Sequence, residues 1–440
     1  MSYERRILLR HSTASVVALA LTGLTRFLYS VFVSRRFGIE ALGAANSLIS
    51  QAFFLAIPLS FFAVALGKYS SEFLGSGKTD SIRSITLPSF LLPLAGLLLL
   101  PLNLYLGILA TLRGIQLTLR NFLYGIHRGE HYAYIITLSF VGFLVGFLIP
   151  NVFAPYLLFL GLIAVFSAAY LVRFDFVGKP RTSEMGLLIS YSAFAFLGTL
   201  SGVFLIQGPY FISEYLSNPE VAGIVSAILS AAFLLTYLPQ VLQSAIMPLF
   251  SYKYGRNESD YVKLLAEKTT ALLILVTSVA VFVLMLLGRE VLSAIFGFDV
   301  GPAFYLALMA MEIYIAYNPS IVALNSTAYV KRGTLVALLG AFAVLLSWFY
   351  LIPAFEAIGV MAGLILGYGL ILTGVAHYAR ALLDISPRIY VPLALALLLQ
   401  SLVFLSKYAL LGGFLLFLAY NRREIMDGIG LVKSFRGRES

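Results

Sequence analysis

The sequence predicts an all-α polytopic membrane protein with about fourteen transmembrane helices, and three observations lead there. The first is composition. Of 440 residues, 60% are hydrophobic and 11% charged, and the mean hydropathy is +0.94, which leaves too little polar surface for a soluble protein. The second is a series of apolar runs long enough to cross a bilayer. The third is the placement of Lys and Arg between those runs, which alternates as the positive-inside rule requires. The net charge of +10 is therefore read as topology. A nucleic-acid partner would need a basic face on a soluble domain, and no such domain remains once the runs are removed. The absence of cysteine excludes disulfides, thiol catalysis and thiolate metal sites.

The runs fall near residues 13–34, 42–66, 84–101, 104–126, 132–151, 154–174, 186–211, 220–247, 267–288, 301–328, 334–353, 357–380, 389–405 and 408–421. The third and fourth, and the last two, are separated by short polar breaks, so twelve or thirteen spans are the alternatives. Arg5, Arg6 and Arg10 precede an apolar run that is too long for a secretory signal and lacks a small-residue cleavage site, so it is expected to stay as the first span. With both termini cytoplasmic, 24 of the 30 Lys and Arg fall on the inside, including Arg422, Arg423, Lys433, Arg436 and Arg438 in the tail. Only Arg35, Arg36, Arg289 and Lys407 fall outside, and Arg26 and Arg113 lie within the membrane. This places the protein in the cell membrane as a multi-pass chain.

An internal repeat sets the expected organisation. Glu40, Gly43, Pro58 and Asp80 are matched by Glu220, Gly223, Pro239 and Asp260 at offsets of 180 or 181. Arg128-Gly129 and Ile149-Pro150 are matched by Arg332-Gly333 and Ile352-Pro353 at offsets of 203 or 204. Six spans separate each residue from its match, so the copies have parallel topology. The expected divisions are a six-helix lobe over 1–183, a second over 184–384, and two further helices with a basic tail over 385–440.

The polar residues inside the spans carry the functional argument. In the first span Ser15, Thr22, Arg26 and Tyr29, with Leu19, follow helical spacing along one stripe. In the fourth, Arg113, Gln116, Arg120, Tyr124 and His127 do the same, making one helix face cationic and hydrogen-bonding. The first six spans hold no buried acidic residue to neutralise them. A cavity lined by these helices would be positive and would favour an anion. Alternatively, Arg113 and Arg120 snorkel or pair with backbone carbonyls, and Arg26 is a structural bridge between helices. Glu312 is the lone acidic residue inside a span of the second half, and near it Asn318 and Pro319 break the apolar run of the tenth helix. It is a candidate for binding a coupling proton or sodium ion, for pairing with an arginine, or for a purely structural hydrogen bond. His377, with a side chain that titrates near neutrality, is a second candidate for proton coupling or an interfacial residue.

Two motifs lead nowhere. Gly75-Ser76-Gly77-Lys78-Thr79 looks like the end of a P-loop, but Glu72 stands where the first glycine belongs and no strand precedes it. Four scattered histidines, no nucleophile beside a base and no paired carboxylates exclude metal and enzyme chemistry, so no cofactor is expected.

Arg35-Arg36-Phe37-Gly38 followed by Leu42-Gly43 resembles the Arg-x-Phe/Leu-Gly motif that closes the first span in the multidrug/oligosaccharidyl-lipid/polysaccharide (MOP) exporter superfamily. The prolines late in the second and eighth spans and the Gly125 to Gly129 turn are similar too, and the likeness is greatest to the Wzx-type polysaccharide biosynthesis flippases. The resemblance implies two six-helix lobes around a central cavity and translocation of a lipid-linked oligosaccharide by alternating access. The carrier phosphate or pyrophosphate would sit on cavity residues, here Arg26, Tyr29, Arg113, Gln116 and Arg120. Lipid II flippases of this superfamily also use cationic cavity residues, but Arg26 stands in a different register relative to the motif, so its role is inferred from the stripe. The other reading is a cation-coupled multidrug exporter of the same fold, which would want acidic residues where the first lobe offers arginines.

Overall fold

The structure, a computed structural model, describes residues 3–422 except 238, 241–249, 251–252, 255 and 257, with side chains described from residue 16 onward, Phe194 apart. The side chains of Arg5, Arg6, Arg10 and Ser15, the end of the eighth run, and Arg423, Lys433, Arg436 and Arg438 lie outside the described residues.

The described chain is helical throughout. Helix α1, Tyr3–Phe37, ends at Gly38, whose φ of 90° is left-handed territory open to glycine. This gives the glycine of the Arg-Phe-Gly motif its physical reason. Arg36 beside it donates from Nη1 to the Phe147 carbonyl at 2.7 Å, capping the end of α6. Helix α2, Ile39–Leu59, carries Pro58 in its last turn, and a three-residue break separates it from α3, Ala63–Gly75. The second run is therefore one broken span. Next come α4, Thr79–Leu91, which continues as a 3-10 helix over Leu92–Leu99 where Pro93 removes an amide, then α5, Leu104–Gly125, and α6, Gly129–Gly146. Helices α7, Ala154–Arg173, α8, Thr182–Leu216, and α9, Pro219–Ala232, follow.

Beyond the undescribed stretch lie α10, Ser259–Phe296, α11, Ala303–Asn325, and α12, Val330–Leu383. The last holds two helices meeting at Glu356, where φ is 51°. Helix α11 runs unbroken through Asn318 and Pro319, and both residues are buried within it. The chain closes with α13, Val391–Gln400, and α14, Lys407–Tyr420. By length and composition alone, ten helices among the described residues can cross a membrane, one of them the double helix α12. With α5, α6 and α14 this agrees with an all-α protein of about fourteen spans.

Contacts divide the chain into two compact units, one of Met1–Tyr237 with Val344–Val360 and one of Leu238–Ala343 with Met361–Ser440. The repeat boundary at 183/184 concerns sequence and the unit boundary concerns packing, so α8 and α9 can open the second copy and still pack in the first unit. They do so against α2, which also packs on α5. Small residues allow that approach. A Cβ on Gly43 would run into the Pro219 carbonyl, and one on Gly223 into the Ile39 carbonyl. Because 39 and 219, like 43 and 223, are repeat mates, the α2–α9 contact is reciprocal in the manner of a two-fold interface. In the second unit α10 packs on α11, with α13 against both, and Ile274, Ala316, Tyr390 and Leu393 form a buried cluster.

Candidate functional site

The stripe on α1 faces inward within the first unit. Tyr29 is fully buried and Arg26 partly so. The Arg26 guanidinium donates from Nη1 to Gln207 Oε1 on α8 at 2.8 Å and from Nη2 to Ser50 Oγ on α2 at 2.7 Å. Its carbon stands 3.8 Å from the centre of the Tyr210 ring. Its Nε is buried with no hydrogen-bond partner, and the Tyr29 and Tyr210 hydroxyls share that condition. Among the described residues Arg26 has no ion-pair partner.

Magnitudes show what this arrangement achieves. Two hydrogen bonds to a charged group are worth about 1.5–3 kcal/mol each, and a desolvated cation–π contact about 2 kcal/mol. An arginine at mid-membrane costs about 3 kcal/mol on insertion scales. The neutral partners therefore suffice to hold the guanidinium there without an anion. Its positive charge is held and left uncancelled.

The cationic stripe of α5 supplies the second group. Arg113 donates from Nη1 to Gln116 Oε1 and lies with its guanidinium carbon 4.5 Å from the centre of the Phe53 ring. Gln116 is buried and reaches the Tyr132 hydroxyl at 3.5 Å. Again no carboxylate faces the charge among the described residues. Tyr156 of α7 joins the two arginines. Its ring packs against Tyr29 at 4.8 Å and against Phe53 at 5.8 Å, the ring that Arg113 covers. The Tyr237 ring lies against Gly23 of α1. The structure thus brings Arg26, Tyr29, Arg113 and Gln116 into one neighbourhood. Arg120, two turns further along the stripe, is exposed.

Glu312 sits in the second unit in a different setting. Ser278 Oγ donates to its Oε1, and Gln400 Nε2 to its Oε2 at 2.7 Å. All its partners are neutral and no arginine is among them. Gln400 is fully buried, and its Oε1 has no hydrogen-bond partner. His377 is exposed, its ring 5.3 Å from that of Tyr378, and belongs to neither group.

Sequence reasoning missed Ser50, Gln207, Tyr210, Phe53, Tyr132 and Tyr156. A signal for two of them was present. Arg26 and Gln207 are 181 residues apart, as are Tyr29 and Tyr210, and the repeat offset is 180 or 181. Arg26 hydrogen-bonds its own repeat mate.

No protein-family profile matches the chain, and no curated protein sequence is similar to it. Solved structures do match. A multidrug resistance MATE family transporter of the MOP superfamily, inward-facing, is 12% identical, covers 84% of this chain and 98% of its own, and gives a TM-score of 0.65. The lipid II flippase MurJ in an inward closed conformation is 13% identical over 93% of this chain and 99% of its own, with a TM-score of 0.59. The fold is that of the MOP superfamily. A MOP superfamily transporter from Pyrococcus furiosus Vc1, noted for the reverse polarity of its binding pocket, is 14% identical over 86% of this chain and 95% of its own, with a TM-score of 0.56. The likeness read from the Arg35 to Gly38 motif is thereby borne out as fold. The printed descriptions of these three structures name transporters and a flippase.

Proposed function

We propose that this MOP-fold protein is a flippase of the Wzx type, moving a lipid-linked oligosaccharide across the cell membrane by alternating access for polysaccharide or glycan assembly. Arg26 and Arg113 receive the phosphate or pyrophosphate of the carrier, with Tyr29 and Gln116 beside them and Arg120 two turns further along the stripe. Two lobes of six helices, over 1–183 and 184–384, carry the repeat, and both termini are cytoplasmic. The single observation that carries this reading is the uncancelled charge of Arg26, whose Nε–H is buried without a partner. A retained charge with no carboxylate against it suits an oxyanion, which forms short charge-assisted hydrogen bonds with guanidinium.

The test is binding of a phosphate- or pyrophosphate-linked glycolipid to the purified protein, compared with Arg26→Ala, Arg113→Ala and a cationic drug. Weakened glycolipid binding in both variants is the expected result. Unchanged glycolipid binding in both sinks the proposal.

One observation favours a second reading, a cation-coupled multidrug exporter. Glu312 is a buried carboxylate with only neutral partners, which suits a proton or sodium ion. Drug binding that ignores both arginines and vanishes in Glu312→Gln would select it.

A further inference from the structure

We infer that Gln207 is the residue that makes the Arg26 site selective for anions, because it holds the guanidinium with a neutral group at the position where a carboxylate would cancel it. This rests on the proposal that Arg26 receives the anionic head group.

The orientation of the Gln207 amide follows from chemistry. Guanidinium has donors only, so the amide must turn its oxygen toward Nη1, as the 2.8 Å contact shows. Its NH2 group then points away from Arg26 and makes no hydrogen bond among the described residues. Gln207 therefore does two things at once. It fixes Arg26 without neutralising it, and it keeps amide donors that the guanidinium does not use. Glutamate is nearly the same shape and would do neither, since it would pair with Arg26 and bring no donor.

The repeat explains how such a pairing arises. In a two-fold contact, residues beside the axis meet their own mates. Arginine in both copies would set two like charges together, and glutamine in both would leave no charge. One of each gives a single retained cation. The partners fit the same pattern, since Tyr210 matches Tyr29 and Ser50 matches Ser230 at offsets of 181 and 180, and all four are buried.

The experiment measures affinity of the purified full chain for a short-chain polyprenyl diphosphate, with thermal unfolding followed in parallel, for wild type, Gln207→Glu, Gln207→Met and Arg26→Ala. Gln207→Glu should weaken binding about 100-fold, the scale of losing a desolvated charge interaction. Its midpoint of unfolding should equal or exceed that of wild type, because an ion pair replaces a hydrogen bond. Gln207→Met keeps the charge and loses only the amide, so about 5-fold is expected. A merely structural Gln207 would give the reverse order, with Glu tolerated and Met harmful. Binding by Gln207→Glu within 3-fold of wild type, while Arg26→Ala loses it, overturns this inference alone. Normal binding by Arg26→Ala overturns the underlying reading and the inference with it. Should Gln207→Glu fail to fold, Gln207→Met decides, and wild-type affinity there also overturns the inference.

Discussion

The Arg26 and Glu312 neighbourhoods solve the same problem with opposite signs. Each holds an ionisable group inside a membrane-spanning helix, and each surrounds it with neutral hydrogen-bonding side chains instead of a counter-charge. They differ in access and in what is left open. Arg26 is partly exposed, with aromatic faces and a second arginine nearby, whereas Glu312 is 1% exposed and enclosed by Ser278 and Gln400. The first keeps part of its side chain accessible. The second admits nothing larger than a small ion unless its helices part.

The largest expected effect tests the first half of that contrast. The double variant Arg26→Ala, Arg113→Ala should lose at least about 100-fold in affinity for a diphosphate-linked lipid, since charge-assisted contacts in desolvated sites are worth 2–5 kcal/mol. Its thermal midpoint should fall by only a few degrees, because the desolvation cost relieved offsets much of the hydrogen bonding lost. Equal losses of binding and stability would make the arginines structural bridges. The double swap Arg26→Gln, Gln207→Arg sharpens the comparison further. It moves the cation to its repeat mate, where Tyr29 and Ser230 stand in for Tyr210 and Ser50. Affinity should return to within about 10-fold of wild type, a residual of one imperfect hydrogen bond. Affinity no better than that of Arg26→Ala would show the two copies are not interchangeable there.

The next effect concerns the framework under the first site. Gly43→Val drives a side chain into the Pro219 carbonyl, and backbone cannot withdraw as a side-chain tip can. The expected cost is about 3 kcal/mol, read as a lowered unfolding midpoint. Gly223→Val, the mate, should cost about the same if the α2–α9 contact is reciprocal in energy as well as in geometry.

Glu312 gives a smaller, two-way result. Glu312→Gln should be close to neutral in stability, since its amide can still accept from Ser278 and can donate to the Gln400 Oε1 that now lacks a partner. Glu312→Leu strands the Ser278 hydroxyl and the Gln400 amide, at about 1–3 kcal/mol for a buried unsatisfied group. Thermal unfolding of the two variants side by side separates a hydrogen-bonding role from a charge. If both unfold together, packing and not polarity sets the site.

What was legible in advance follows the same division. Helical spacing exposed Arg26 with Tyr29 and Arg113 with Gln116, because residues on one face of one helix are related by local geometry alone. Ser50, Phe53 and Tyr156 carry no such mark. They are ordinary membrane-helix residues that matter only through which helices meet. Gln207 and Tyr210 were readable through the offset of 181, had it been applied to polar residues as well as to Gly and Pro. Glu312 stood out as a lone acid, but Gln400 comes from α13, which sequence sets apart from the repeat, and only packing joins them. Asn318 and Pro319 break the apolar run of the tenth span and leave its helix whole. Both are buried in α11, where neighbouring helices stabilise a helix that local preference would interrupt.

The smallest effect lies outside the spans and serves as the control for both sites. Asp299, in the turn after α10, accepts from Arg289 Nη2 at 2.6 Å and from the Gly301 amide at 3.0 Å, and these bonds hold its carboxyl down at about 2, against an ordinary value of 3.8. A depressed carboxylate pKa contributes stability above the unfolded value, and that contribution fades as pH falls from 3.8 through about 2. The pair is largely exposed, with 62% of the Asp299 side chain accessible, so screening reduces its worth to about 0.5 kcal/mol. Asp299→Asn should therefore lower the unfolding midpoint by a degree or so at neutral pH, about what ~0.5 kcal/mol gives, and the gap from wild type should close below pH 2. Lipid affinity should not move. A change in affinity here would mean that the binding assay reports general stability, and the contrast between the two buried charges would have to be measured again by another route.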